Sequence, residues 1–248
     1  MSLIQIGSGS ASLDTYIQDG FSNFIIKKKF KKKVFIIEAN SIHLKNLKKF
    51  YKKHSNVKIF NLAISPDNIS KKKMNFYYCL NDAPNFQIFS NSKSFVEKHF
   101  PKGVIKTKAI KCISISKFFE KNNIKKIDYL SIDIEGMDYE VLLNLDLNQF
   151  SIKNISFEHL HLNFWQKIRI IFKFIKYDYY FSGMGFDLKK SDWMFSKKYD
   201  SQKIKTFLPH KDTSIHLVQF STIFPNVISI ALLRQNIYSV MPNFISFP

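Results

Sequence analysis

Short apolar runs recur along the chain, and each stops at a polar or small residue. "LIQI" (Leu3 to Ile6) stops at Gly7, and "VFII" (Val34 to Ile37) stops at Glu38. "VKIFNLAI" (Val57 to Ile64) stops at Ser65 and Pro66, and "IDYLSI" (Ile127 to Ile132) stops at Asp133. "ISF" (Ile155 to Phe157) stops at Glu158 and His159. Short runs that are apolar on both faces belong to parallel strands covered by helices.

Helical spacing fills the gaps. "SLDTYIQDGFSNFI" follows Gly9, and "NSIHLKNLKKFYKKH" follows Glu38 and Ala39, with Asn40 or Ser41 as N-cap and Leu44, Leu47 and Tyr51 on one face. "SISKFFEKNN" is capped by Ser114 or Ser116, and Met137 to Leu145 sets Val141, Leu142 and Leu145 together. "WQKIRIIFKFIKY" (Trp165 to Tyr177) groups Trp165, Ile168, Ile171, Phe172 and Ile175 on one face beside Arg169, Lys173 and Lys176. That face can pack on a sheet or lie on a membrane. "GFDLKKSDWMF" (Gly185 to Phe195) reads as a hairpin closing the sheet. The alternation predicts an α/β fold with a doubly wound, mostly parallel sheet. Residues 71–112 break the rhythm with two extra strands around an Asn-, Ser- and Phe-rich segment. They read as an insertion near the active face, either a lid or acceptor wall or a satellite core. A single domain is expected over 1–198, with an extension over 199–248 in which the pattern fades.

Composition changes the picture in two places. The chain has 248 residues, 45% of them hydrophobic, and no apolar run approaches the ~20 residues of a membrane span. Cys79 and Cys112 are the only cysteines, so neither a disulfide framework nor a zinc site is expected; no ligand spacing demands a resident metal, and Asp133, Glu135 and Glu158 are the residues that could bind a divalent ion. A reducing, cytoplasmic setting follows, and the N-terminus shows no secretory pattern. The formal charge of +19 suggests anionic partners, yet Arg169 and Arg234 are the only arginines. Arginine dominates bidentate readout of bases and phosphates, so contact with nucleic acid is expected to be nonspecific. "KKKFKKK" (Lys27 to Lys33) reads first as a solvated link and second as an attraction to anionic surfaces, including the inner membrane face.

The strand ends carry the chemistry. Open parallel sheets place ligands beyond the carboxyl ends of their strands, where Gly7, Glu38, Asp133, Glu158 and His159 fall. "QIGSGS" offers glycine and free amides to a ligand, with Gly7 and Gly9 at the first two positions of a dinucleotide fingerprint and Ser12 at the third. Glu38 can accept hydrogen bonds from both hydroxyls of a ribose, or can cap the helix that follows. His159 is the first choice for a base, since imidazole titrates near neutrality. His161 has the same facing.

"IDYLSIDIEGMDYEVL" (Ile127 to Leu142) resembles the signature of FkbM-type methyltransferases. "VFIIEAN" and "NVKIFNLAIS" resemble that family's second and third strands, and "ISISKFFEKNNIKKIDYL" resembles the lead-in to its fourth. The resemblance covers about Ile4 to Phe195. It implies the class I methyltransferase fold, S-adenosylmethionine as methyl donor, and a sugar or other small-molecule hydroxyl as acceptor. It places Gly7, Ser8, Gly9, Glu38 and Ala63 at the cofactor. Gln5 stands where the family usually has an acid, Gly9 replaces an asparagine, and Ala11 replaces a glycine. Asp133 is then the first choice for the reacting centre, with Glu158 orienting His159 or binding the acceptor. Glu135 contacts acceptor or cofactor, and Asp138 and Glu140 start the next helix, Asp138 as its cap. Two other readings stay open: an RNA or DNA methyltransferase using the lysine-rich surface, and a catalytically idle cofactor-binding protein.

Overall fold

Alternating apolar strands and amphipathic helices wind into one large sheet in the computed structural model, which describes residues 2–11, 20–27, 30–83, 88–184 and 192–198. The strands are β1 (Ser2–Ile6), β2 (Lys33–Ile37), β3 (Val57–Phe60), β4 (Ala63–Ser65), β5 (Lys73–Cys79), β6 (Ile105–Ser114), β7 (Lys126–Ile132), β8 (Ser151–Ile152), β9 (Asn154–Glu158), β10 (Tyr179–Met184) and β11 (Asp192–Lys197). The helices are α1 (Gly20–Lys27), α2 (Leu44–Phe50, entered through a 3-10 turn), α3 (Lys93–His99), α4 (Ile115–Lys121), α5 (Asp138–Asn144) and α6 (Phe164–Lys176).

The large sheet runs β10-β11-β9-β7-β1-β2-β3, with β8 beside β7. Strands β3, β2, β1, β7 and β9 are mutually parallel, while β11 is antiparallel to both β9 and β10. This is the doubly wound, mostly parallel α/β architecture expected from the strand pattern. Val34 and Ile36 share a core with Phe21, Ile25 and Leu47 of α1 and α2. Phe35, one residue out of phase, meets Phe118 of α4 at 6.3 Å between ring centroids. The two-residue period of the strand thus sends alternate side chains into two helical layers.

Register positions the site. Ile6 stands opposite both Ile37 and Ile132, and Ile132 stands opposite Phe157. The residues that follow these four, Gly7, Glu38, Asp133 and Glu158, therefore emerge along one edge.

Four expectations are corrected. The predicted third strand divides in two, because the Asn61 side-chain amide donates to the carbonyls of Glu38 and Ala39 at 2.9 and 3.0 Å and turns the chain out of the sheet. Its second half, β4, joins β6 and β5 in a separate three-stranded sheet. The closing hairpin starts earlier than Gly185: β10 pairs with β11 from Tyr179 onward, and residues 185–191 lie outside the described residues. Helix α6 buries Ile170, Ile171 and Phe174 instead of the face with Trp165 and Phe172, since Phe174 stacks on Phe195 at 4.7 Å. Asp138 is the first residue of α5 and not its cap, which is Met137. Part of the first predicted helix, residues 12–19, and all of the extension over 199–248 also lie outside the described residues.

The basic link does more than solvate. Phe30 packs on the core, and Lys32, together with Lys153, pairs with the enclosed carboxylate of Asp128 at 3.0 and 2.9 Å. Lys173 of α6 donates to the carbonyls of Leu142, Leu143 and Leu145, satisfying the end of α5 that has no further helical partners. Burial pushes its ammonium down to about 8.

Candidate active-site cleft

Gly7 allows β1 and β7 to finish side by side. Its φ is +79°, and a Cβ added there would lie 1.5 Å from the carbonyl oxygen of Asp133. Gly9, at φ +54°, has nothing within 4 Å of its hypothetical Cβ, so its backbone faces open space. Ala11, where the resemblance expects glycine, keeps the left-handed conformation at φ 55°. Ser8 is buried, and its hydroxyl turns back to the Gly9 carbonyl at 3.5 Å.

Glu38 ends β2 almost fully enclosed. One carboxylate oxygen accepts from the Gly9 amide at 2.8 Å and the other from the Asn40 amide at 2.7 Å. Glu38 thus shapes the first loop, a role beyond the ribose contact or helix cap read from sequence. The cap itself is Asn40, whose side chain accepts from the Ile42 amide. Burial raises the pKa of Glu38 to about 7, against the opposing pull of these amides. The amides of Ser8 and Ala39 add to that pull.

These residues open onto a cleft of about 230 Å³, lined by Gly7, Gly9, Glu38, Ala63, Asp133 and Glu135 among others. Its far wall comes from the insertion. Phe76 of β5 and Phe89 stack with ring centroids 5.0 Å apart, and both line the cleft. They also share a small core with Ala63, Ile110 and Met137. The two readings of residues 71–112 are therefore one: a satellite core whose inner surface is a wall. His43 is a further lining residue that the sequence did not single out, and burial lowers its pKa.

The end of β7 is more acidic. Asp133 opens to solvent in the cleft, yet protein crowds its other sides. That desolvation, followed by the charges of Asp138, Glu135, Glu158 and Asp192, holds its carboxyl well above the usual range. Glu135 adopts φ 50°, uncommon for a residue with a side chain, and burial raises its pKa. Its carbonyl accepts from the buried Ser90 hydroxyl at 2.5 Å, which ties the insertion to the acidic turn. Asp138 holds the same turn from below, accepting from the amides of Ile134 and Gly136 at 3.1 and 3.4 Å. Burial raises its pKa to about 6. Glu140 follows in the first turn of α5.

Glu158 meets His161, with Nε2 to Oε2 at 3.2 Å, and Glu135 lies 3.9 Å from the same nitrogen. Burial lowers the His161 pKa, and nearby His99 and Lys98 lower it further. The ring sits edge-on to Phe95 at 4.7 Å. Glu135, Glu158 and His161 form a group of metal-ligand type, with ligand atoms within 4.8 Å of one another. His159, the preferred base in the sequence, stacks on Trp193 at 4.4 Å. The strand stops at Glu158, and the turn after it brings His161 back to the acids. The only available signal for His161 was its repeat of the facing of His159.

No curated protein matches the sequence. Similar solved structures include the methyltransferase FkbM from Methylobacillus flagellatus KT, at 11% identity and TM-score 0.44, covering 79% of this chain and 44% of that one. The chain therefore spans less than half the length of that relative. A fibrillarin/Nop5p complex aligns at 10% identity and TM-score 0.38, covering 80% of this chain and 72% of that one. The ribosomal protein L11 methylase from Lactobacillus delbrueckii subsp. bulgaricus aligns at 10% and 0.34, covering 80% and 70%. The Methyltransferase FkbM domain matches residues 9–188, a range that starts at Gly9 and holds Glu38, the acidic turn, His159 and His161, and the chain belongs to that family.

Proposed function

We propose that the protein is an S-adenosylmethionine-dependent methyltransferase that methylates a hydroxyl of a sugar, a glycan or another small molecule. The observation that carries this reading is the Glu38–Gly9 corner: an enclosed carboxylate beside a glycine whose outer side is open, at the end of β2 in a member of this family. A ribose fits there, because Gly9 leaves room for close approach and Glu38 is an acceptor whose oxygens the ribose hydroxyls would share with the loop amides. Ala63 and the aromatic wall of Phe76 and Phe89 suit the flat base. When bound, the cofactor supplies a methyl group on a sulfonium.

The remaining work falls to the acidic side. Asp133 faces the cleft and orients the acceptor or the charged donor group. Glu135 and Glu158 can accept hydrogen bonds from a polyhydroxyl acceptor. His161 takes the acceptor proton, with Glu158 fixing its ring through the 3.2 Å contact. This moves the base from His159 to His161. Transfer of label from radioactive S-adenosylmethionine into fractionated glycans, lipids and nucleic acids tests the reading. Label is expected in a glycan- or small-molecule-bearing fraction. Label confined to nucleic acid, in a salt-resistant complex, would contradict it.

A further inference from the structure

Helix α6 has two apolar stripes, and the sheet uses only one of them. Ile170, Ile171 and Phe174 face inward. Phe164, Trp165, Ile168 and Phe172, spaced one, three and four residues apart, share another side of the helix. Trp165 is 71% exposed, Phe172 48%, and Leu160, just before the helix, 59%. Exposed large side chains are ordinary when scattered singly; a contiguous stripe of them marks a contact surface.

Charge narrows the choice of contact. The helix carries Lys167, Arg169, Lys173 and Lys176 and no acid. Arg169 and Lys176 are exposed alongside the stripe, and exposed Lys98 lies near His161 at its other end. A second copy would bring the same basic face, and a net +19, against itself. An anionic surface answers both features, with aromatic side chains in the interfacial layer and cations among the phosphates.

We infer that the α6 face docks on an anionic phospholipid surface, with Leu160, Trp165 and Phe172 in the interface and Arg169, Lys176 and Lys98 at the headgroups. No described helix is long and apolar enough to cross a membrane, so the contact is peripheral. Leu160 lies between Glu158 and His161 in sequence, so docking brings the acidic side of the cleft to the bilayer surface. On the methyl-transfer reading, on which this clause alone rests, the acceptor hydroxyl is then presented from a membrane-borne headgroup or glycan.

The test uses the full chain without any methyl donor, so its outcome is independent of transfer. Vesicles of phosphatidylglycerol and phosphatidylcholine are expected to pellet the protein, and pure phosphatidylcholine vesicles to pellet far less. Because the apolar stripe inserts, binding should persist in part at about 0.15 M salt, where surface charge is screened beyond about 8 Å. Brominated lipid should quench tryptophan fluorescence in the unaltered chain, through exposed Trp165 and not through Trp193, which is 5% exposed. The double substitution Trp165→Glu with Phe172→Glu should lower vesicle binding at least about tenfold, with an unchanged melt. Absence of binding to anionic vesicles would overturn the inference. So would equal binding by the double variant, or a dimer of the unaltered chain that the double variant dissolves.

Discussion

The two sides of the cleft are built in different ways. The Gly7–Glu38 side is made of backbone: two glycines with positive φ, and one enclosed carboxylate held by two amides. The Asp133–Glu135 side is made of side chains that titrate, on a turn where Glu135 has φ 50° and Ser90 and Asp138 brace the backbone, and Glu158 and His161 meet Glu135 beyond the lining. Backbone amides hold their charge distribution at any pH, and Glu38, raised to about 7, is the acid set among them. A cluster of acids and a histidine changes state with pH and with whatever binds. The first arrangement suits a constant ligand and the second suits chemistry.

The largest effect should come from Gly7→Ala. The added methyl would lie 1.5 Å from the Asp133 carbonyl, and only backbone can give way. A loss of about 4 kcal/mol or more is expected, at the upper end for single substitutions. A denaturant melt checks it; a stable variant would mean that the two strand ends are not in contact. On the other side, Asp133→Asn should preserve the melt and lower kcat by about 10²-fold, the scale for a positioned catalytic polar group. Unchanged turnover would move the chemistry elsewhere on this side.

The enclosed acids give a comparison in pH. Glu38 and Asp138 are raised to about 7 and about 6 from ordinary values of 4.5 and 3.8. The native state therefore binds protons that the unfolded chain releases. Their contribution to stability is complete below the ordinary values and is lost as pH rises through the raised ones. For Glu38 the loss is about 3 kcal/mol across its window, at about 1.4 kcal/mol per unit. Melting the unaltered chain and the Glu38→Gln, Asp138→Asn double variant from pH 4 to 8 should show the advantage of the unaltered chain shrinking as pH rises. A constant difference would mean that these carboxyls are not enclosed. The smallest effect is expected from Ser90→Ala, about 1–2 kcal/mol for the hydrogen bond donated to the acidic turn and the one accepted from the Ser92 amide. Its diagnostic is a kcat that falls while cofactor affinity holds, because the Ser90 hydroxyl touches the acidic turn and the start of α3, and not the Glu38 side.

The two sides also differed in legibility. Gly7, Glu38 and Asp133 could be read because each ends an apolar run, and parallel register makes run ends coincide in space. Tertiary choices could not be read in this way. Helix α6 has two apolar stripes, and hydropathy does not say which one meets Phe195. His161 reaches Glu158 only because the strand stops before it, a boundary that periodicity does not locate to one residue. Asn61 divides the third strand with two side-chain hydrogen bonds to a neighbouring loop, a long-range contact with no local signature. The aromatics of residues 71–112 read equally as a wall or a satellite core; Phe76 and Phe89 serve as both, and that depends on where their sheet folds back.

The central claim is that the Gly7–Glu38 side holds the S-adenosyl group. Calorimetric titration of S-adenosylhomocysteine into the unaltered protein and Glu38→Ala tests it most directly. The unaltered protein should bind this ligand and bind NAD far more weakly. At pH 8, where Glu38 is mostly ionised, Glu38→Ala should lose about 1.5–3 kcal/mol of the binding free energy, the scale of hydrogen bonds to a charged group. Tight binding of NAD with no binding of the S-adenosyl ligand would contradict the account.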